Sequence, residues 1–214
     1  MEEQMLKFYS KDSSQVALRA LPGHFATSHS HINYYIDMTS LKTRAREAKE
    51  VASVIASKYH STITIDTIVC MDGTEVVGAY LANEFQKRDY LLTTNRHETI
   101  YVVSPEFNSN NQMIFRDNTV PSIKGKHILL LLATTTTGVT IRRSIECIKY
   151  YEGIMEGVSS IFSTVKKVDG YEVESIFSAE DLPGYSAYVQ KDCPYCQKGH
   201  KLQAMVNGYG YSKL

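Results

Sequence analysis

Tryptophan is absent from the 214-residue sequence, proline occurs five times and cysteine four times, and neither sign of charge dominates, 23 basic side chains being matched by 23 acidic ones. That balance, with no long run of Lys or Arg, argues against nucleic acid held on a broad electropositive face but leaves room for a local anion pocket. Long apolar runs are missing too: the longest, Ile128 to Ala133, is far too short to span a bilayer. Met1 to Lys11 mixes acids, a glutamine and lysines around no apolar core, so neither a signal peptide nor an anchor is expected there. So few cysteines exclude a secreted disulfide framework; Cys70 and Cys147 sit within apolar patterns and read as buried thiols. A soluble, cytoplasmic protein with no nucleic-acid or membrane partner is the expectation. With 43% hydrophobic residues the chain can bury a large core in one compact unit, which excludes collagen-like, coiled-coil and largely disordered organisation.

What is present alternates short β-rich runs with helical spacing, the pattern of a parallel sheet covered on both faces. Ser40 to Tyr59 carries Leu41, Ala45, Ala48, Val51, Ala52 and Ile55 on one helical face. Ile63 to Met71 predicts a strand, Asp72-Gly73 a tight loop, and Thr74 to Arg88 a helix. Further strands are expected over Thr99 to Val103, Lys126 to Leu132 and Gly157 to Phe162, a polar loop over Asn108 to Pro121, and a helix over Ile141 to Tyr151. Beyond Asp169 the pattern weakens into short, turn-rich pieces, which predicts a small flap instead of more sheet.

In open parallel sheets, ligands sit outside the carboxyl ends of the strands, which directs attention to the loops after Met71 and Leu132. The second runs Ala133-Thr134-Thr135-Thr136-Thr137-Gly138-Val139-Thr140 from a buried strand into a helix. Its hydroxyls and the N–H groups of a helix N-terminus make a cradle for an anion such as phosphate. Capping alone would need a single hydroxyl.

This stretch, with Ile141-Arg142-Arg143-Ser144-Ile145 behind it, resembles the phosphoribosyl-pyrophosphate signature of the type I phosphoribosyltransferases. Gly23-His24-Phe25 through Tyr34-Tyr35-Ile36-Asp37 is similar to the hood segment of the orotate enzymes, and Ile68 to Ala82 lies where they have a pyrophosphate loop and its helix. The resemblance covers roughly residues 18 to 165. It implies an α/β fold: a parallel-sheet phosphoribosyltransferase-like core with hood over 1–168, with 169–214 as a C-terminal extension. It also implies a homodimer, a Mg²⁺ cofactor and transfer of phosphoribosyl from its diphosphate donor to a pyrimidine-type base. By the same resemblance Thr134, Thr135, Thr136, Thr137, Gly138 and Thr140 hold the 5′-phosphate, Met71, Asp72, Gly73, Thr74 and Glu75 form the pyrophosphate loop, and Tyr34 and Tyr35 face the base.

Departures accompany the match. Where the family has two acids gripping the ribose hydroxyls, this chain has Leu132 and Ala133. Ser104 to Gln112, in the place of the catalytic loop, carries no positive charge, and only Arg116 follows nearby. The hood lysine is replaced by Thr27, and the arginine after the Gly157 to Phe162 strand by Ser163-Thr164-Val165. No catalytic residue is assigned. Asp72 and Glu75 either serve through a bridging Mg²⁺, take over the ribose grip, or merely make a turn. The functional alternatives are an orotate-type transferase and a non-catalytic relative that binds a nucleotide or sugar phosphate as a sensor or partner subunit.

Cys193-Pro194-Tyr195-Cys196, followed by His200, reads as half of a Zn²⁺ knuckle that His200 or a distant thiol completes, as a glutaredoxin-like dithiol, or as a turn with two free thiols. His24, His29 and His31 cluster without an acid or cysteine at fixed spacing and read as solvated surface. One of Arg142 and Arg143 is expected to reach an anion while the other faces solvent.

Overall fold

The structure, a computed structural model, describes residues 5–59, 63–92, 99–110 and 112–214, with the backbone alone for 88–92. The start of the Met1 to Lys11 segment, the Arg88 side chain and Asn111 of the Ser104 to Gln112 loop lie outside the described residues.

Leucines dominate the centre. Strand β8 (His127–Thr135) buries Leu129, Leu131 and Ala133 against one side and Leu130 and Leu132 against the other, each 0% exposed. Successive side chains point to opposite faces of a strand, so an unbroken apolar run belongs where both faces are covered. Around it, β4 (Thr67–Cys70), β5 (Tyr101–Val103), β9 (Ile154–Ser163) and β11 (Tyr171–Ser178) run parallel to it in the order β11-β9-β8-β4-β5, with β10 (Lys167–Val168) antiparallel at the edge. Helices α2 (Ala45–Ser57) and α3 (Glu75–Leu92) bury Val51, Ile55, Leu81 and Phe85 over one face. Helix α4 (Val139–Tyr150) covers the other with Ile141, Ile145 and Ile148. Burying one such side chain contributes about 1.5–3 kcal/mol, which locks the strand ends and the loops they carry.

A second sheet stands at the carboxyl end of the first. Strands β1 (Leu6–Tyr9), β2 (Ala17–Ala26) and β3 (His31–Asp37) come from the N-terminus, while β12 (Ala187–Tyr188), β13 (Ala204–Asn207) and β14 (Gly210–Lys213) come from the tail. The order is β12-β3-β2-β13-β14, with β1 also on β2. Short helix α5 (Pro194–Gln197) sits between β12 and β13.

Several expectations change. The turn-rich region after Asp169 is not a flap: β11 extends the core sheet, pairing Val173 with Val158 and Phe177 with Phe162, and the tail is woven into the N-terminal sheet. The helix predicted from Ser40 divides at Arg44, whose extended backbone (φ −89°, ψ 120°) separates α1 (Thr39–Thr43) from α2. The expected polar loop, Asn108 to Pro121, contributes β7 (Met113–Ile114) to a small hairpin with β6 (Glu106–Phe107) just before it. Strand β8 runs on through Thr134 and Thr135, so the turn itself is only Thr136, Thr137 and Gly138.

Candidate functional site

The loop after β4 begins with two consecutive left-handed residues, Asp72 (φ 57°) and Gly73 (φ 75°). Thr74, 0% exposed, fastens the turn from beneath, its Oγ1 donating to the Met71 carbonyl at 2.8 Å and the Leu131 carbonyl at 3.3 Å. The Met71 N–H also donates to Leu131, at 2.8 Å. Thr74 is therefore buried beneath the turn, and Asp72 and Glu75 are the loop's charged groups. Glu75 is exposed and accepts a hydrogen bond from Ser104 Oγ at 2.7 Å.

Gly138 makes the turn after β8. Its φ of 72° suits glycine, and a Cβ there would lie 2.8 Å from Val168 Cγ2. No side chain caps α4, so its first-turn N–H groups are not spent on a threonine. Thr164 braces the turn instead, its N–H donating to the Thr135 carbonyl at 3.1 Å and its hydroxyl to the Thr136 carbonyl. Thr134 to Thr137, Gly138 and Thr140 all border a cavity of about 190 Å³.

The tail closes that cavity and Lys42 ties it to the β4 loop; neither carries a sequence pattern that singles it out. Lys42 is 4% exposed. Its ammonium donates to the main-chain carbonyls of Asp72 and Gly208 and lies 5.4 Å from the Tyr209 ring centre. Burial pulls its pKa down, against the opposing pull of Asp72, Glu75 and Asp37. Burial likewise raises the Asp72 pKa, resisted by Lys42 and by a hydrogen bond from the Ala133 N–H. Tyr209 is raised by burial and by the same two carboxylates. The β13–β14 turn approaches so closely that a Cβ on Gly208 would lie 2.7 Å from Asp72 Cβ. Asp72, Asn207 and Gly208 thus wall the cavity opposite the threonines.

A larger cavity of about 1060 Å³ adjoins it, sharing Asp72 and Thr140 and lined further by Glu75, Arg143, Glu146 and Phe107. Arg143 is its arginine; Arg142 is paired with Asp169 at 3.1 Å, and Arg116 with Glu106 at 2.8 Å. Leu132 and Ala133 are fully buried in the core, so the carboxylate that reaches the end of β8 is that of Asp72. Tyr35 borders the smaller cavity, is 3% exposed, and has its phenol pushed up to about 12 by burial. Tyr34 borders neither cavity: its hydroxyl donates to the Pro183 carbonyl at 3.1 Å and its ring stacks on Tyr185.

The cysteine motif lies on the N-terminal sheet. His24 and His31, 4% and 6% exposed, are not solvated surface: they face each other across β2 and β3, with His24 Nε2 3.3 Å from His31 Nδ1. Cys193 Sγ is 3.4 Å from His24 Nε2, and Cys196 Sγ is 3.3 Å from His31 Nδ1. The four donor atoms lie within 4.8 Å of one another and could hold a metal ion. The His200 ring is not among them; its main-chain carbonyl faces His24 Nδ1 at 3.1 Å. His29, the remaining histidine of the sequence cluster, is exposed and borders the cavities instead. Among the described residues no helix is long and apolar enough to cross a membrane.

No family model and no curated protein sequence matches the chain. Its backbone, however, is similar to solved structures. Adenine phosphoribosyltransferase from Leishmania donovani aligns over 71% of this chain and 73% of its own, at 15% identity and a TM-score of 0.50. The Leishmania tarentolae adenine enzyme aligns over 70% and 79%, at 13% identity and 0.50. Orotate phosphoribosyltransferase from Mycobacterium tuberculosis, solved with Fe(III) dicitrate, aligns over 78% and 93%, at 14% identity and 0.49. A parallel sheet in this strand order, helices on both faces and a second sheet over the strand ends give the chain the fold of the type I phosphoribosyltransferases.

Proposed function

We propose that the protein binds a ribose 5-phosphate group in the cavity of about 190 Å³ and acts on it as a phosphoribosyltransferase of the orotate type, with a pyrimidine-type base as acceptor. The observation that carries this reading is the uncapped N-terminus of α4 opening, with Thr134 to Thr137, Gly138 and Thr140, onto a half-open cavity. Oriented N–H groups and hydroxyls favour a dianionic phosphate there without a lysine or arginine.

In the reaction a base nitrogen forms a bond to ribose C1 as the bond from C1 to diphosphate breaks. The protein's share is to align the partners and to stabilise charge. The threonine loop fixes the 5′ end. Asp72, held at the end of β8 by the Ala133 N–H, takes the ribose-facing place that Leu132 and Ala133 leave without an acid. Lys42 favours the ionised form of that carboxylate by opposing the effect of burial. The larger cavity holds the diphosphate and base, with Arg143 on the anion. Its acids Asp72, Glu75 and Glu146 would repel a bare diphosphate. Asp72 and Glu75 suit Mg²⁺, a hard cation taken by one or two carboxylates plus phosphate oxygens, and when bound it would screen that repulsion. By resemblance the assembly is a homodimer, which sedimentation velocity checks.

A second reading, a sensor that binds a nucleoside monophosphate without turnover, draws on the buried Leu132 and Ala133 and on the lack of any cation between Ser104 and Gln112. Calorimetry with the diphosphate donor, ribose 5-phosphate and pyrimidine monophosphates, with and without Mg²⁺, separates the two. Donor binding with diphosphate release on adding a base supports the transferase; monophosphate binding alone supports the sensor. Two lost hydrogen bonds to a charged group, at about 1.5–3 kcal/mol each, predict a hundredfold to ten-thousandfold weaker phosphate binding for Thr137→Val with Thr140→Val. Unchanged affinity would refute both.

A further inference from the structure

The cluster on the N-terminal sheet has the dimensions of a metal site. With Zn–N near 2.0–2.1 Å and Zn–S near 2.3 Å, a tetrahedron has N···N edges of about 3.3 Å and N···S edges of about 3.6 Å. Here the N···N separation is 3.3 Å, three of the four N···S separations are 3.4, 3.7 and 3.3 Å, and all four donor atoms lie within 4.8 Å of one another. Hydrogen bonding alone accounts poorly for two thiols and two imidazoles crowded together with three of the four residues buried.

The surroundings orient the same atoms. The His200 carbonyl accepts from His24 Nδ1–H, which leaves Nε2 unprotonated and aimed at the cluster; such outer partners fix the tautomer of ligating histidines. Tyr195, between the two cysteines, stacks on the His24 ring at 5.3 Å. A register shift in β2 between Pro22 and Phe25 falls at His24, and His31 pairs with Ala26 two residues along. Two thiolates on a divalent ion and two neutral imidazoles sum to no net charge, which suits a buried position.

We propose that His24 Nε2, His31 Nδ1, Cys193 Sγ and Cys196 Sγ bind one Zn²⁺ as a closed structural site that fastens the tail to the N-terminal sheet. The two thiols release their protons to solvent as the ion enters. Beside this cluster the tail is held on β2 by Gln203, whose N–H donates to the His24 carbonyl at 2.8 Å and whose Oε1 accepts from the His24 N–H at 3.2 Å, so the hydrogen bonds and the metal ligand converge on one residue. Strand β13 registers with β2 at Phe25 and Ala26, immediately after His24. Strand β13 ends at Asn207, and the turn through Gly208 and Tyr209 that follows it walls the two cavities. The ion therefore acts at a distance as a positioning element for that wall, a consequence that rests on the ribose phosphate reading above, whereas the metal site itself does not.

Elemental analysis of the purified full chain, grown with zinc and kept reduced, is expected to give about one zinc per chain, all four ligand positions being protein. Replacing zinc by Co²⁺ should give the intense visible bands of a tetrahedral site with thiolate charge transfer. Cys196→Ser, at the exposed ligand, should weaken zinc binding by more than about a hundredfold, beyond what loss of an outer partner costs, and His31→Ala should do the same. His200→Ala should retain the ion. Removing zinc with a chelator should speed cleavage of the tail from Ala187 onward and weaken binding of ribose 5-phosphate. A chain without metal, a Cys193–Cys196 disulfide, or zinc retained in His31→Ala and lost in His200→Ala would overturn the proposal. Zinc present without ribose phosphate binding would overturn the reading of the cavity and leave the metal site standing.

Discussion

Replacing Lys42 by methionine removes a charge from beneath the site while keeping the length of the side chain. Lys42 is 4% exposed and donates to two main-chain carbonyls, Asp72 on the β4 loop and Gly208 on the tail. Hydrogen bonds from a charged donor contribute about 1.5–3 kcal/mol each, so two amount to about 3–6 kcal/mol before the ammonium's own burial is counted. Releasing that buried charge returns part of the sum, and we expect a net loss of about 2–4 kcal/mol. Lys42 also restrains the rise of the Asp72 pKa, so in the variant Asp72 becomes harder to ionise and needs a higher pH. Urea denaturation of Lys42→Met beside wild type measures the first effect; the pH dependence of ribose 5-phosphate affinity measures the second. A stability change within about 0.5 kcal/mol, the range of an ordinary surface substitution, together with an unmoved pH profile, would refute the role given to this lysine.

Gly208→Ala places a carbon 2.7 Å from Asp72 Cβ, so the tail turn must withdraw; we expect weaker ribose 5-phosphate binding with little change in the far-ultraviolet circular dichroism. Gly138→Ala combines a left-handed backbone with a 2.8 Å approach to Val168, and a loss of about 1–3 kcal/mol in urea unfolding is expected together with impaired phosphate binding. Burial raises Tyr35 and Cys70 to about 12 and Cys147 to about 11, so in the window above their unfolded values the folded chain holds protons that the unfolded chain has released. Their contribution to stability is complete below about pH 8.5, the thiol reference value, and falls as pH rises through the shifted values; urea midpoints that stay level from neutral to strongly alkaline pH would contradict this.

The central strand and its loop were legible because their signals are local. Six consecutive apolar residues announce a strand buried on both faces, and a run of threonines ending in glycine marks its turn into a helix. Strand β11 was missed because its buried residues, Val173, Ile176 and Phe177, follow neither a strict alternation nor a continuous run. The tail strands β12, β13 and β14 have two, four and four residues, too few for periodicity to register. Lys42 carries no sequence signal, since its burial depends on the break at Arg44 and on a turn 166 residues away. The cysteine pair was visible as half of a cluster, but the nearest histidine in sequence, His200, supplies only its carbonyl. The partners are His24 and His31, seven residues apart across a hairpin whose register shift no pattern of hydrophobicity reveals.

That the N-terminal sheet takes a strand from the far end of the chain has a kinetic consequence. The His24 N–H donates to a side chain 179 residues away, at Gln203, and Leu18 of β2 is buried in the same cluster as core residues such as Leu129. Contacts so distant in sequence form slowly, because a large loop must close before any favourable contact offsets its entropy. During refolding the five parallel strands and their helices should therefore gain protection from hydrogen exchange first. Amides of β13 and β14 should follow in a later phase, and the ability to bind a phosphate should return with that later phase.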